Sequence, residues 1–262
     1  MDLQLPDHLA RDHQLLLRDL ADRNQAEHGD GLLGLVLSGS AARGVATERS
    51  DLDVYVVLSD DAAQGRSPIR SAILDELPVT LTELEQVPPF GSDGWGFRWS
   101  FAWAATLLDR TAGRLPAALR RQATLTPQEV DAVLVQHRRL DGWLNYAYRA
   151  VKSDRDGHPL ECRLDAAGSM PWLLDVIFAL AGRVRPYHKY LPWELHEHPI
   201  PDWPADVLLP LLQNTLDGDP AALRETFTRL EAGCASYDAA GGHHRTEEII
   251  DDWGDGLLLL RP

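Results

Sequence analysis

Two short clusters in the N-terminal half carry residue types suited to phosphate chemistry. Gly39-Ser40 follows an apolar run over residues 32–37, and Asp51-Leu52-Asp53 opens a second apolar run that ends at Leu58. Side chains alternate faces along a strand, so Asp51 and Asp53 point one way while Leu52 and Val54 point the other. Two carboxylates on one face repel each other unless a cation lies between them. The pair is therefore a candidate Mg2+ site and, through the metal, a place for a triphosphate. A glycine turn lets backbone N–H groups approach phosphate oxygens closely, and the start of a following helix favours anions. Ser40 adds a hydroxyl donor, Ser50 directly precedes the first aspartate, and Arg43 is a further candidate for the same phosphates.

The elements that must position these groups follow from the hydropathy pattern. Leucines set among charges over residues 3–28 predict an amphipathic helix, stopped by Gly29-Asp30-Gly31. Strands are expected over residues 32–37 and 51–58, with one or two helical turns between them. Ser67-Pro68 reads as a helix start running to Leu77. A third strand is expected over residues 78–84 and a fourth over 99–108, the latter carrying Trp99, Phe101 and Trp103 of an alternating aromatic series that begins at Trp95. That series predicts a covered sheet face or a substrate platform. A linker is expected between Gly113 and Thr126. Beyond it the pattern is helical, starting at a Thr126-Pro-Gln-Glu129 capping box and including a helix over residues 162–183 whose centre, 172–180, is nearly all apolar and expected to be buried. The expected fold class is an α/β (α+β) mixed-sheet domain over residues 1–115, followed by a helical domain over 116–262.

At 262 residues, with 44% apolar, the chain can build two cores. Its formal charge of −15 lacks the basic footprint of a nucleic-acid binder, so no DNA partner is expected. A nucleotide delivered with its metal, or a small cationic substrate, suits an acidic protein better. The basic residues are nearly all arginine, with lysine only at 152 and 189, which gives Lys189 added weight. Cys162 and Cys234 make no metal motif, and the spacing of His188, His196, His198 and the His243-His244 pair does not suit zinc. With no leader-like segment and no apolar run of membrane-spanning length, a cytoplasmic location and no membrane partner are expected.

Gly39-Ser40-Ala-Ala-Arg43-Gly44, with Ser50 ahead of Asp51-x-Asp53 and apolar strands on both sides, resembles the signature of the nucleotidyltransferase superfamily. Pro186-Tyr-His-Lys189, after a buried helix, looks like the helical region of bacterial small-molecule nucleotidyltransferases, where a lysine serves as a point charge for phosphate. The resemblance, nearest to aminoglycoside adenylyltransferases, implies Mg2+-dependent transfer of a nucleoside monophosphate, AMP from ATP being the expected case. The implied acceptor is a hydroxyl of a small, antibiotic-like molecule bound by the helical domain. Asp51 and Asp53 are then the catalytic metal ligands. Gly39, Ser40, Arg43, Ser50 and Lys189 are the nucleotide ligands. The family's third carboxylate belongs on the third strand, where the expected register places Thr80. Glu83 and Asp109 are the nearest alternatives there, and Glu161 and Asp165 are candidates in the helical part. The Thr80 slot keeps two other readings open: adenylylation of a protein or RNA partner, as in toxin–antitoxin systems, and a non-catalytic nucleotide-binding module.

Overall fold

The computed structural model describes residues 2–261. The chain divides into two compact units, one running to Thr124 and the other starting at Leu125.

The first unit is built on a four-stranded sheet in the order β3-β2-β1-β4. The strands are β1 (Leu32–Leu37), β2 (Leu52–Leu58), β3 (Leu74–Thr80) and β4 (Ala105–Asp109). β1 pairs antiparallel with β2 and β4, and β2 pairs parallel with β3. Helix α1 (Arg11–His28) covers one face, where Leu17, Leu20 and Ala21 meet Leu35, Leu37, Leu52, Val54, Val56 and Leu58. Between β1 and β2 lies a single helical turn, α2 (Gly39–Ala42), and after β2 a second, α3 (Asp60–Ala63), capped by the Ser59 hydroxyl. The other face is covered by α4 (Leu81–Glu85) and α5 (Arg114–Ala123), whose Leu81, Leu84, Leu115 and Leu119 pack on Val36 and Val57. The period-two alternation of β2 thus has an apolar partner on each side of the sheet.

Several elements differ from the sequence expectation for identifiable reasons. The stretch 67–77, expected to be helical, is an extended strap that turns into β3. Ile69 and Glu76 exchange backbone hydrogen bonds of 3.0 and 2.8 Å, a β-bridge that takes the N–H and C=O a helix would need. The third strand therefore starts earlier and ends at Thr80. Thr80 and Glu83 form a reciprocal capping box that opens α4 in place of continuing the strand. The alternating aromatics lie on a 3-10 segment (Trp95–Phe101), not on β4. The expected linker contains α5. Asp109 ends β4 by accepting hydrogen bonds from Thr111 and Gly113 N–H and the Thr111 hydroxyl. Burial pushes its carboxyl up, but those hydrogen bonds outweigh burial and hold it below the usual carboxylate range. It is a turn cap.

Two buried arginines fasten the 3-10 segment. Arg98, 1% exposed, donates from Nε to Gln122 O at 2.9 Å and from Nη2 to Thr124 O at 2.8 Å, capping the last carbonyls of α5. Arg43 holds the other side, as described below.

The second unit is helical: α6 (Pro127–Asp131), α7 (Arg139–Arg155), α8 (Pro159–Leu180), α9 (Leu191–Glu197), α10 (Ala205–Leu216), α11 (Pro220–Gly241) and α12 (Arg245–Asp251). The Thr126–Glu129 capping box forms as the sequence predicts. A π-turn (Ala132–Gln136) and Arg138, left-handed with φ 52°, break the expected continuous helix after α6. α7 and α8 cross closely because residue 142 is glycine, where a Cβ would lie 2.3 Å from the Trp172 ring. Trp143 stacks on Phe227 of α11 at 6.4 Å. Cys162 and Cys234 are buried free thiols, and burial pushes the Cys234 thiol up to about 12. No helix among the described residues is long and apolar enough to cross a membrane.

Arg98→Ala leaves buried carbonyls without their donor and opens a void. It is expected to lower the unfolding free energy by about 2–4 kcal/mol, read from urea unfolding followed by tryptophan fluorescence. A change below about 0.5 kcal/mol, the size of an ordinary surface substitution, would show that the guanidinium does not hold the segment.

Candidate active site

The site is assembled where β1 ends and β2 and β3 begin. The β1–β2 ladder continues one residue past the strand, with Ser38 N–H bonded to Asp53 O at 2.8 Å. The chain then turns at Gly39, whose φ is +64°. A Cβ at this position would lie 2.0 Å from Asp53 Oδ2. Glycine is thus required twice over, by its left-handed backbone and by the carboxylate lying against its α-carbon. Ser40, 4% exposed, sits in α2. That helix is one turn long, so its dipole is small. What it offers an anion is its leading N–H groups, which have no intrahelical partner.

Asp51 and Asp53 share a face as the strand period predicts, and the structure brings a third carboxylate to them. In the parallel register Asp53 faces Asp75 on β3. One carboxylate oxygen from each of Asp51, Asp53 and Asp75 lies within 4.8 Å of the other two. Among the described residues no histidine joins such a group. Asp51 and Asp53 are half-buried and Asp75 is 5% exposed. Its neighbour Glu76 points to the opposite face of the sheet, where Arg23 Nη2 reaches its Oε1 at 2.9 Å and Asn24 its Oε2 at 3.3 Å.

Sequence reasoning missed Asp75 because it placed residues 67–77 in a helix. The signal was present in Leu74-Asp75-Glu76-Leu77, once Thr80-x-x-Glu83 is read as a helix cap that must end the strand. Thr80 is that N-cap and Glu83 its partner, so neither occupies the third-carboxylate position.

The remaining candidates separate. The Arg43 guanidinium is engaged within the protein: stacked 4.1 Å over Trp99, it donates to Gly39 O at 2.6 Å and Ala102 O at 2.7 Å. It clamps the turn to the 3-10 segment. The Ser50 hydroxyl closes the turn before Asp51 by accepting from Thr47 N–H at 2.9 Å. Lys189 lies exposed in a 3-10 turn of the second unit, its Nζ 5.1 Å from the Tyr190 ring. Glu161 is exposed in the first turn of α8, and Asp165 is paired with Arg149 at 3.1 Å.

Three carboxylates converging on one point are a hard-oxygen donor set that suits Mg2+ or a similar divalent cation. Asp51, Asp53 and Asp75 would hold it, next to the N–H groups of the Gly39-Ser40 turn.

Residues 17–91, which include the turn and all three aspartates, match the family model described as nucleotidyltransferase domain. The match supports nucleotide transfer as the general chemistry. Among solved structures, the chain is similar to a nucleotidyltransferase-like protein from Exiguobacterium sibiricum. Identity is 12% over 92% of this chain and 79% of that one, with a TM-score of 0.43. No curated protein matches the chain.

Gly39→Ala would place a methyl group where Asp53 Oδ2 lies. It is expected to weaken Mn2+ binding, measured by calorimetry, by about 10-fold or more, with a stability loss of about 2–5 kcal/mol from the left-handed backbone and the clash together. Unchanged Mn2+ affinity would show that the Asp53 position is not needed for metal.

Proposed function

We propose that the chain is a metal-dependent nucleotidyltransferase that moves a nucleoside monophosphate, AMP from ATP, to a hydroxyl of a small molecule. The observation that carries this reading is the convergence of Asp51, Asp53 and Asp75 beside the Gly39-Ser40 turn. In the reaction the acceptor oxygen forms a bond to the α-phosphorus, the bond to pyrophosphate breaks, and the hydroxyl proton passes to a carboxylate. A bound divalent cation supplies charge neutralisation at the phosphate oxygens and activation of the hydroxyl. The chain's own part is to hold the three carboxylates in register through the β2–β3 pairing. It also brings backbone N–H groups close to phosphate through a turn that bears no Cβ at its tightest point. Lys189 keeps the role of a point charge for phosphate, and Ser40 and Ser50 remain candidate hydroxyl ligands.

In this reading the sheet unit, which runs to Thr124 and not to the expected 115, carries nucleotide and metal, and the helical unit from Leu125 takes the acceptor. The chain's negative charge favours a cationic, antibiotic-like acceptor. The non-catalytic alternative drew its support from Thr80. Thr80 as a helix cap, with Asp75 beside Asp53, supports the catalytic reading over it.

Incubation with Mg2+ and α-labelled ATP across a panel of hydroxylated amines is expected to release pyrophosphate and label the acceptor. Asp75→Asn should reduce the rate by about 10²-fold or more, and Asp51→Asn with Asp53→Asn should abolish it. Transfer that survives the double variant would refute the site. Labelling of a protein or RNA alone would replace the small-molecule acceptor. Mg·ATP binding without pyrophosphate release on any acceptor would favour the non-catalytic module.

A further inference from the structure

Asp75 already has a cationic partner. Arg70 Nη1 donates to its Oδ2 at 2.6 Å, and Ser71 N–H donates to its Oδ1 at 3.0 Å, so both carboxylate oxygens are engaged. The two donors are consecutive residues of the strap that leads into β3. Three contacts pin the strap: the Arg66–Glu27 ion pair at one end, the Ile69–Glu76 bridge in the middle, and Arg70 on Asp75. The Ser71 hydroxyl adds a tight turn, accepting from Leu74 N–H at 2.9 Å and donating to Leu74 O at 2.8 Å. The Asp75 side chain is 7% exposed and that of Arg70 is 68% exposed, so one partner is fixed and the other can swing into water.

We propose that Arg70 is a built-in competitor of the divalent cation. Its guanidinium neutralises Asp75 until metal takes that carboxylate, so metal loading and release of Arg70 from Asp75 form one equilibrium. The inference rests on the reading of the triad as a metal site. Three carboxylates this close repel one another, and one of them is largely withdrawn from water, so a counter-charge on Asp75 is favourable. A guanidinium does not lose its proton, so it cannot yield to a divalent cation by becoming neutral. Two cations on one carboxylate repel each other. Metal on Asp75 therefore weakens the Arg70 contact, and the exposure of Arg70 makes its movement aside cheap. Metal affinity is then reduced by the fraction of molecules in which Arg70 is latched.

The test is Mn2+ calorimetry on the full chain, with hydrogen exchange at residues 66–73 as a second readout. Arg70→Gln is expected to bind Mn2+ about 3- to 10-fold more tightly than wild type. Mn2+ should speed exchange of the Ser71 amide, which is bonded to Asp75, in the wild type, and in R70Q that amide should exchange fast with or without metal. Arg66→Gln removes the same charge from the same strap without touching Asp75, and should change Mn2+ affinity by less than about 2-fold. An equal gain in R66Q and R70Q would reduce the effect to general charge and overturn the latch. Weaker Mn2+ binding in R70Q would also overturn it, showing that Arg70 orients Asp75 for metal. Binding that survives Asp53→Asn, or no binding by wild type, would overturn the metal reading and the latch with it. Binding lost in D53N but unchanged in R70Q would overturn the latch alone.

Discussion

The contact between Asp53 Oδ2 and the α-carbon of Gly39 leaves no room for a side-chain atom, and the rest of the site depends on it. It fixes where β1 must stop, because only a left-handed glycine can pass the carboxylate and still start α2. It also fixes which way Asp53 points, since the Ser38–Asp53 backbone bond keeps the two strands in register up to the turn. Arg43 then locks the arrangement from behind by joining Gly39 O to the carbonyls of the 3-10 segment. The backbone of the turn is thus held by the Ser38–Asp53 bond and by Arg43, and donors pre-organised in that way need no reorganisation when charge arrives.

A second constraint is electrostatic. Asp75 and Glu76 are consecutive and both nearly buried, and the strand period sends them to opposite faces. Each receives its own arginine: Arg70 on the face of the triad, Arg23 of α1 on the other. The Arg23–Glu76 pair sits away from the triad and holds α1 to the sheet edge. The Arg70–Asp75 pair sits on a residue that a metal would also need. The same ion-pair chemistry thus fastens one face of β3 and sets up an exchange on the other.

Arginine is the main structural cation throughout the chain. Arg98 caps α5, Arg183 pairs with buried Glu194, and Arg139 and Arg185 flank Asp175 at 3.3 and 3.2 Å. Burial raises the Asp175 carboxyl above its ordinary range, against the pull of the Arg185 and Arg139 charges. A planar guanidinium with five donors can satisfy several carbonyls or carboxylates at once, which a lysine cannot do. Arg43 shows this within the site, where one guanidinium joins Gly39 O to Ala102 O.

What the sequence alone determined was local. The bounds of β1 and the face shared by Asp51 and Asp53 follow from strand periodicity. The Thr126–Glu129 cap follows from short-range chemistry within a few residues. The third carboxylate was not local. Residues 67–77 carry an apolar spacing that fits a helix, and only the bridge between Ile69 and Glu76, with the pairing of β3 to β2, makes them extended. That pairing decided that Asp75 stands beside Asp53, that Thr80 ends the strand, and that Arg70 reaches the site. Arg43 and Arg98 illustrate the same limit, because the carbonyls that bind them come from residues dozens of positions away. Side-chain alternation is a property of one strand, whereas register and long-range hydrogen bonds depend on which strands and loops meet.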